Sequence, residues 1–232
     1  PDGTLLAAIG TGGQARLWKV ATRQQVGAPM TVGGSGSAGA LAFGRGGRIL
    51  ATVGADGTVR LWNVTTQRPL GGPMTAGAGP GPAAAAFSQD GRTLATATGG
   101  TARLWDVATR QEIGSPMTAD TQPVYALAFS QDGTILATAG GDGTARLWDV
   151  ATRQEIGSPM TADTQPVYAL AFSQDGTMLA TAGGDGVARL WDVTFPAKLV
   201  AAACAIAGQS LTRQQWADYA GTQPFQQVCP AG

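Results

Sequence analysis

Aspartates recur at regular intervals along this chain of 232 residues and could carry out carboxylate chemistry. They form two series, which are Asp90, Asp132 and Asp175 in Ser-Gln-Asp-Gly segments and Asp56, Asp142 and Asp185 in other Asp-Gly pairs. Carboxylates spaced this regularly could surround a divalent cation or serve as an acid–base pair. Asp before Gly is also typical of tight turns, and the D-x-D-x-D-G pattern of a calcium loop does not occur. The sequence therefore favours turns over a metal site.

The chain contains no histidine, and this restricts its chemistry more than any other feature of the composition. Without an imidazole the chain lacks the commonest general base, the commonest metal ligand and every Ser-His or Cys-His pair. Five arginines recur at one position of the repeat, and they are Arg16, Arg60, Arg103, Arg146 and Arg189. They could form an anion-binding circle, but their strand position favours pairing with nearby aspartates. We predict that the chain is not an enzyme and has no catalytic, cofactor-binding or metal-binding residues.

The segment GSGSAG at 34–39 satisfies the G-x-G-x-x-G pattern of dinucleotide sites. That pattern binds a pyrophosphate only between a strand and the start of a helix. Here a strand is predicted on each side of the segment. A flexible loop is therefore the favoured interpretation.

The elements that position these residues follow a repeat marked by tryptophan. Five tryptophans are separated by 44, 43, 43 and 43 residues, and they are Trp18, Trp62, Trp105, Trp148 and Trp191. Residues 108–150 and 151–193 are identical at 41 of 43 positions. A period of this length indicates a stacked or radial repeat architecture.

Each period predicts four short antiparallel strands, illustrated by VYALAFS (124–130), ILATAG (135–140), TARLWDV (144–150) and QEIGSPM (154–160). Asp-Gly between the first three strands supplies the positive φ of tight hairpins. The first strand is rich in small residues, which suits crowding near an axis. The fourth carries Pro-Met, and proline, which cannot donate to a ladder, marks an outer edge.

With FSQDGTILATAGGDG before TARLWDV, the sequence resembles the WD-repeat β-propeller family over residues 1–193. The resemblance implies an all-β propeller of four-stranded blades. It gives the five repeat tryptophans and the turn residues Asp56, Asp142 and Asp185 structural roles. The family's Gly-His pair is missing, and Ala119-Asp120 and Ala162-Asp163 occupy its place.

Five blades are expected, near 1–30, 31–74, 75–117, 118–160 and 161–193. The first lacks its innermost strand and the last its outer Pro-Met strand, so we expect an open arc; a closed ring with a strained first blade and an assembly of several arcs are the alternatives. The composition and the ends suggest the C-terminal module of a larger bacterial signalling protein, located in the cytoplasm.

Residues 194–232 are predicted to form a short helical tail that packs on the last blade, with helices over 196–207 and 212–221. Cys204 and Cys229 both lie in this tail. A disulfide between them and two reduced thiols both remain open at this stage.

The predicted function is a protein-interaction scaffold or sensor module. The net charge of zero argues against nucleic-acid partners. The sequence also lacks a run of about 18 to 20 apolar residues, the length that a membrane-spanning helix needs. The loops before the inner strands of blades four and five are expected to display the binding residues, which are Asp120, Gln122, Tyr125, Asp163, Gln165 and Tyr168. Charge reversal at Asp120 and Asp163 is expected to leave stability unchanged. Self-association through the incomplete blades and, with less support, small-ligand binding are the alternatives.

Overall fold

Short apolar runs separated by Asp-Gly and Gly-Gly turns form five antiparallel β-sheets. The computed structural model describes residues 2–10, 12–33, 39–54, 56–77, 83–120 and 122–193. We number the sheets as blades 1 to 5 in chain order. Among the described residues, blades 1 and 5 have three strands and the others have four. This confirms the predicted all-β class and agrees with the expected incomplete first and last blades.

The strand bounds are as follows. Blade 1 contains β1 (Leu5–Ile9), β2 (Gln14–Lys19) and β3 (Gln25–Thr31). Blade 2 contains β4 (Ala40–Phe43), a 3₁₀ turn (Arg45–Gly47), β5 (Ile49–Val53), β6 (Thr58–Asn63) and β7 (Met74–Thr75). Blade 3 contains β8 (Ala83–Phe87), β9 (Thr93–Thr98), β10 (Thr101–Asp106) and β11 (Met117–Thr118). Blade 4 contains β12 (Val124–Phe129), β13 (Ile135–Gly140), β14 (Thr144–Asp149) and β15 (Met160–Thr161). Blade 5 contains β16 (Val167–Phe172), β17 (Met178–Gly183) and β18 (Ala188–Asp192).

Within each blade, strands that follow one another in the chain are hydrogen-bonded neighbours. In blade 4 the two hairpins turn at Gly133 and Gly143, whose φ angles are +73° and +76°. Only glycine adopts this left-handed conformation readily. The predicted Asp-Gly meander is thereby confirmed.

The outer strands of blades 2, 3 and 4 are shorter than the sequence suggested. In blade 4 the outer strand is only Met160–Thr161, preceded by an isolated bridge between Trp148 and Glu155. Gly157, with φ of +72°, turns the backbone out of the ladder, and Pro159 has no N–H to donate. The prediction of a continuous strand over 154–160 is therefore wrong.

The hydrophobic core lies between blades. Successive residues of a strand point to opposite faces, so an interior blade buries one face against the blade before it and the other against the blade after it. One core cluster joins residues of blades 1 and 2, the next joins blades 2 and 3, and the next joins blades 3 and 4. A single blade has no core of its own and needs its neighbours for stability.

Two apolar residues mark where the series of blades is open. Leu6 of blade 1 is 58% exposed and Leu190 of blade 5 is 71% exposed. These exposures agree with the expected open arc and not with a closed ring.

The chain divides into two compact units, Pro1–Trp191 and Asp192–Gly232. In the second unit the structure describes only Asp192 and Val193. The predicted helices, their packing on the last blade and the Cys204–Cys229 pairing lie outside the described residues, as do residues 34–38 of the Gly-rich segment. In the part of the chain that is described, no helix is long and apolar enough to cross a membrane.

Candidate functional site

The loops that enter blades 4 and 5, together with the first residues of β12 and β16, contain the six predicted binding residues, and the two aspartates among them are buried. Asp120 is 7% exposed and Asp163 is 6% exposed. The Asp120 carboxylate accepts hydrogen bonds from the backbone N–H of Gln122 at 2.8 Å and of Asp142 at 3.2 Å. Asp163 accepts equivalent bonds from the N–H of Gln165 and Asp185.

The expectation that Asp120 and Asp163 are displayed to a partner is therefore wrong. Their carboxylates satisfy backbone amides of the β13–β14 and β17–β18 hairpins, which are donors that the loop would otherwise leave unpaired. Charge reversal to lysine would bury a cation beside N–H donors and lower stability. Sequence reasoning placed the two residues in the correct loops but could not see that these loops fold onto hairpins lying 22 residues further along the chain.

The two glutamines of these loops lie at the surface. Gln122 and Gln165 are exposed, and each lies close over a hairpin glycine. A Cβ at Gly141 would stand 2.6 Å from the Cβ of Gln122, and one at Gly184 would stand 2.8 Å from Oε1 of Gln165. The Gly-Gly sequence of these hairpins therefore lets the glutamine side chains rest on the turns.

Tyr125 and Tyr168 form an aromatic contact between blades 4 and 5. Their ring centroids are 5.2 Å apart and the ring planes are inclined by 70°, an edge-to-face arrangement. Tyr168 is 55% exposed, whereas Tyr125 is half-buried.

Each tyrosine lies at an irregularity in its strand. Val124 pairs with Gly140 and Ala126 with Ala139, so the register shifts across Tyr125. Tyr168 lies at the same shift in β16. A bulge of this kind redirects a side chain and recurs next to functional sites. Sequence reasoning missed it because VYALAF reads as an uninterrupted strand.

The repeated arginines have different partners in different blades. Arg146 and Arg189 pair with the turn carboxylates of Asp142 and Asp185 at 2.8 and 2.6 Å, as predicted. Arg103 instead pairs with Glu112 at 2.7 Å, because the β9–β10 turn is Gly99-Gly100 and offers no carboxylate.

The arginines of blades 1 and 2 were predicted wrongly. Arg60 donates from Nε to the backbone carbonyl of Val32 in blade 1 at 3.2 Å. Arg16 donates to Oε1 of Gln14, and Gly12 stands where blades 2, 4 and 5 have the turn aspartate. The arginines therefore form separate contacts rather than an anion-binding circle.

Hydrogen bonds hold the turn carboxylates of Asp142 and Asp185 ionised. Burial acts to raise the pKa of Asp142, but hydrogen bonds from Arg146 and Thr144 outweigh it, and the pKa is lowered. The Arg189 hydrogen bond is the main cause of the lowered pKa of Asp185. Among the described residues, no group of three or more Cys, Asp or Glu side chains is arranged to hold a metal ion.

The repeat tryptophans donate to threonines of the neighbouring strand in four blades. The indole Nε1 bonds the Thr Oγ1 at 2.8 to 3.0 Å in the pairs Trp62–Thr52, Trp105–Thr96, Trp148–Thr138 and Trp191–Thr181. In blade 1, Ala8 occupies the position of this threonine, and Trp18 is half-buried. Asp56 accepts the N–H of Thr58 at 2.9 Å in the β5–β6 turn.

Together these features define a repeat protein of propeller type: antiparallel blades, a Trp-Thr hydrogen bond in most blades, and hairpin turns capped by aspartate. The sequence model for the WD domain, G-beta repeat, matches residues 30–63, 80–106, 112–149 and 155–192. The chain belongs to this WD-repeat family. No curated protein is significantly similar to it.

Proposed function

We propose that this chain is a non-catalytic scaffold that binds a protein partner through the surface at blades 4 and 5. WD repeats generally mediate protein–protein interaction. The observation that supports this surface is the Tyr125–Tyr168 contact at two matching strand irregularities. We call Gln122, Tyr125, Gln165 and Tyr168 the tyrosine patch. That the chain is a module of a larger bacterial signalling protein stays a prediction.

The tyrosine patch has the composition of an interaction hot spot. Tyrosine contributes a large apolar area and a polar tip with few rotatable bonds, and it is enriched where binding energy concentrates. Blades 2 and 3 carry Gly39 and Ala83 at the tyrosine position. The surface is thus particular to blades 4 and 5.

The patch is also electrically neutral. Its side chains are phenols and amides, and the Asp120 and Asp163 carboxylates are directed to backbone N–H groups below it. The expected partner is therefore a peptide segment that supplies apolar side chains and backbone hydrogen-bonding groups. Its binding should depend little on salt, because screening acts on exposed charges.

Selection from a random peptide library displayed on phage, against the full chain, tests this proposal. Peptides that bind wild-type protein should bind the Tyr125→Ala/Tyr168→Ala double variant at least about tenfold more weakly, as hot-spot truncation predicts. Tyr168→Ala alone, at an exposed position, should show the same direction and keeps the test valid if the double variant is unstable. Fluorescence polarisation measures both affinities.

The matched control is Gln131→Ala/Gln174→Ala. These glutamines are exposed in the β12–β13 and β16–β17 turns, at the opposite end of the same strands. Peptide affinity should be unchanged in this control. Equal affinity for wild type and both tyrosine variants would overturn the proposal.

A further inference from the structure

The turns at one end of blade 2 contain three arginines and no acidic residue. Successive turns of an antiparallel meander alternate between the two ends of the sheet, so the β4–β5 and β6–β7 turns lie at the same end. The first turn contains Arg45 and Arg48, and the second contains Arg68. We call these three residues the arginine patch. All three are exposed, and they lie within an interior blade.

The equivalent turns of other blades carry acidic residues. The β4–β5 turn reads RGGR at 45–48, whereas the same turn of blade 4 reads QDGT at 131–134. The β6–β7 turn follows Asn63, where blades 3 and 4 have Asp106 and Asp149. Blade 2 therefore lacks the acidic residue of each turn and has cations close to both positions.

The backbone holds the three arginines near one another. The carbonyl of Arg48 accepts the N–H of Val64 at 2.9 Å, and the carbonyl of Arg68 accepts the N–H of Asn63 at 2.9 Å. Arg48 and Arg68 thus flank the end of β6 on its two sides, about 10 Å apart at two strand spacings. Arg45 begins the turn that Arg48 ends. A short extended segment can reach all three.

Arg110 of blade 3 adds a fourth cation at the edge of the arginine patch. A Cβ at Gly71 would stand 2.6 Å from Nε of Arg110. The guanidinium therefore lies against the β6–β7 connection of blade 2 and crosses the boundary between the two blades.

The neighbouring carboxylate of Asp90 is engaged within its own turn. A Cβ at Gly91 would stand 3.3 Å from the Cβ of Arg45, so the two turns are in contact. Asp90 accepts hydrogen bonds from the Ser88 hydroxyl at 2.6 Å and the N–H of Arg92 at 2.9 Å. In the part of the chain that is described, no carboxylate forms an ion pair with the arginine patch.

This lack of a partner distinguishes the patch from most of the repeat arginines in the later blades. Arg103, Arg146 and Arg189 each have a carboxylate partner within their own blade. Exposed charges of one sign that are grouped without a counter-charge raise the local concentration of ligands of the opposite sign. The arginine patch is therefore arranged to attract an anion.

We propose that the arginine patch binds an acidic peptide segment of a protein partner, whose Asp or Glu carboxylates pair with the guanidinium groups. A guanidinium presents a planar fork of N–H donors that matches a carboxylate, and charge-assisted bonds of this kind are stronger than neutral ones. The inference is independent of the tyrosine patch. It gives the scaffold a second binding surface with different chemistry.

The other candidate occupants fit less well. Residues 194–232 of the chain contain Lys198 and Arg213 but a single acidic residue, Asp218, so the side chains of this segment carry a net positive charge. Single-stranded nucleic acid is usually held by aromatic side chains interleaved with cations, and the two turns contain no aromatic residue. An acidic peptide needs only the guanidinium groups that the patch supplies.

A peptide in which Glu alternates with Gly tests the proposal on the full chain, and a Gln-Gly peptide of the same length is its control. In NMR spectra of the ¹⁵N-labelled protein, the Glu peptide should shift the amide signals of residues 45–48 and 63–71, and the Gln peptide should not. Fluorescence polarisation of the labelled Glu peptide gives the affinity. Binding should weaken as NaCl is raised, because salt screens exposed charges, whereas binding at the tyrosine patch should depend little on salt.

Arg48→Gln/Arg68→Gln should weaken binding of the Glu peptide about fivefold or more, because each exposed ion pair contributes modestly and two are removed. Arg16→Gln/Arg153→Gln is the matched control, since it removes the same charge outside the patch, and it should bind like wild type. Thermal melting should stay close to wild type for the patch variant.

A turn exchange keeps the test valid if the patch variant is unstable. Arg45→Gln/Gly46→Asp/Arg48→Thr installs the QDGT turn that already folds in blades 4 and 5, and it should weaken binding in the same direction. Equal affinity for the Glu and Gln peptides, or equal effects of the two double variants, would overturn the proposal. So would loss of Glu-peptide binding in Tyr125→Ala/Tyr168→Ala, or tighter binding of a single-stranded oligothymidylate with the same number of charges.

Discussion

The carboxylate of Asp120 accepts a hydrogen bond from the backbone N–H of Asp142 at 3.2 Å, across 22 residues of chain. The bond fastens the loop that enters blade 4 to the β13–β14 hairpin of that blade. Asp163 makes the same bond to Asp185 in blade 5 at 3.0 Å. A buried aspartate thus occupies the place at which the WD-repeat resemblance expects histidine. It also accepts the backbone N–H of the glutamine of the tyrosine patch in each blade.

Asp120→Asn should lower the free energy of unfolding by about 1–3 kcal/mol, the usual cost of leaving a buried polar group unpaired. The carboxylate accepts from two backbone N–H groups, of Gln122 and Asp142, whereas an amide has one oxygen to offer. Urea denaturation measures the change. Asp2→Asn, at an exposed site near the N-terminus, should alter stability by less than about 0.5 kcal/mol. Equal effects of the two variants would contradict this role for Asp120.

The sequence predicts the blades well because the information for them is local. Strand alternation and Asp-Gly turns each depend on a few adjacent residues, and the Trp period repeats them. Gly133 and Gly143 have the positive φ that the turn chemistry requires. The burial of Asp120 depends on a hairpin far along the chain. The orientation of Tyr125 depends on a strand irregularity that leaves no mark in the apolar pattern.

Gly114→Ala should destabilise the protein slightly more than Gly157→Ala, because the end of a flexible arginine side chain must move aside at Gly114. Both glycines precede Ser-Pro-Met at equivalent positions and have φ near +70°, so both alanines incur left-handed strain on the order of 1 kcal/mol. A Cβ at Gly114 would also overlap the guanidinium of Arg153 from blade 4, whereas nothing lies within 4 Å of a Cβ at Gly157. Thermal unfolding compares the two.

Arg153→Gly provides the cross-check on that contact. It removes the guanidinium, and it also relieves the positive φ of +61° at Arg153. In this background the two alanine substitutions should have equal cost. A difference that persists without Arg153 would show that the contact between blades 3 and 4 is not its cause.

Thr138→Val should destabilise the protein by about 1–3 kcal/mol, because it keeps the shape but removes the acceptor of the Trp148 indole. Trp148 is 6% exposed and its Nε1–H bonds Thr138 Oγ1 at 3.0 Å. Thr181→Val removes the same bond in blade 5, where Trp191 is half-buried and its surroundings admit water. The cost at Thr181 should be smaller. Chemical denaturation yielding equal costs would argue against burial as the determinant.

Stability should fall as pH decreases from about 4 towards 2, and Asp175 should contribute to this loss. A hydrogen bond from the Ser173 hydroxyl, followed by bonds from Thr177, lowers the pKa of Asp175 from 3.8 to about 2. The unfolded chain therefore takes up this proton at a higher pH than the folded chain does. Ionised Asp175 stabilises the fold above that window, and the contribution disappears as the folded group is protonated.

Ser173→Ala tests the cause of this shift. The pKa of Asp175, followed by NMR of its carboxyl carbon, should move up towards 3.8, and the part of the acid-induced loss of stability that Asp175 contributes should become smaller, because the folded and unfolded pKa values then lie closer together. Ser88→Ala is the matched control, because Ser88 bonds Asp90 in the equivalent turn of blade 3. It should leave the titration of Asp175 unchanged. A shift of Asp175 in the control would contradict a local cause.

Glu155→Gln should stabilise the protein at neutral pH and have no effect near pH 3. Arg146 pairs with Asp142 at 2.8 Å, and Glu155 remains 3.6 Å away, too far for a hydrogen bond. Burial raises the pKa of Glu155 above 4.5, and the nearby Asp142 charge adds to the effect of burial while Arg146 opposes it. The folded state thus disfavours ionised Glu155, so its contribution to stability falls as pH rises through the folded pKa. The gain from glutamine is expected to be below about 1 kcal/mol for this partly exposed group.

Glu112→Gln is the control with the opposite sign. In blade 3 no turn aspartate competes for Arg103, and Glu112 pairs with it directly at 2.7 Å. Removing that charge should lower stability slightly at neutral pH, whereas removing the charge of Glu155 should raise it. Denaturant midpoints measured at pH 7 and pH 3 for both variants distinguish the two cases. Two changes of the same sign at pH 7 would show that the turn aspartate does not decide which carboxylate the arginine binds.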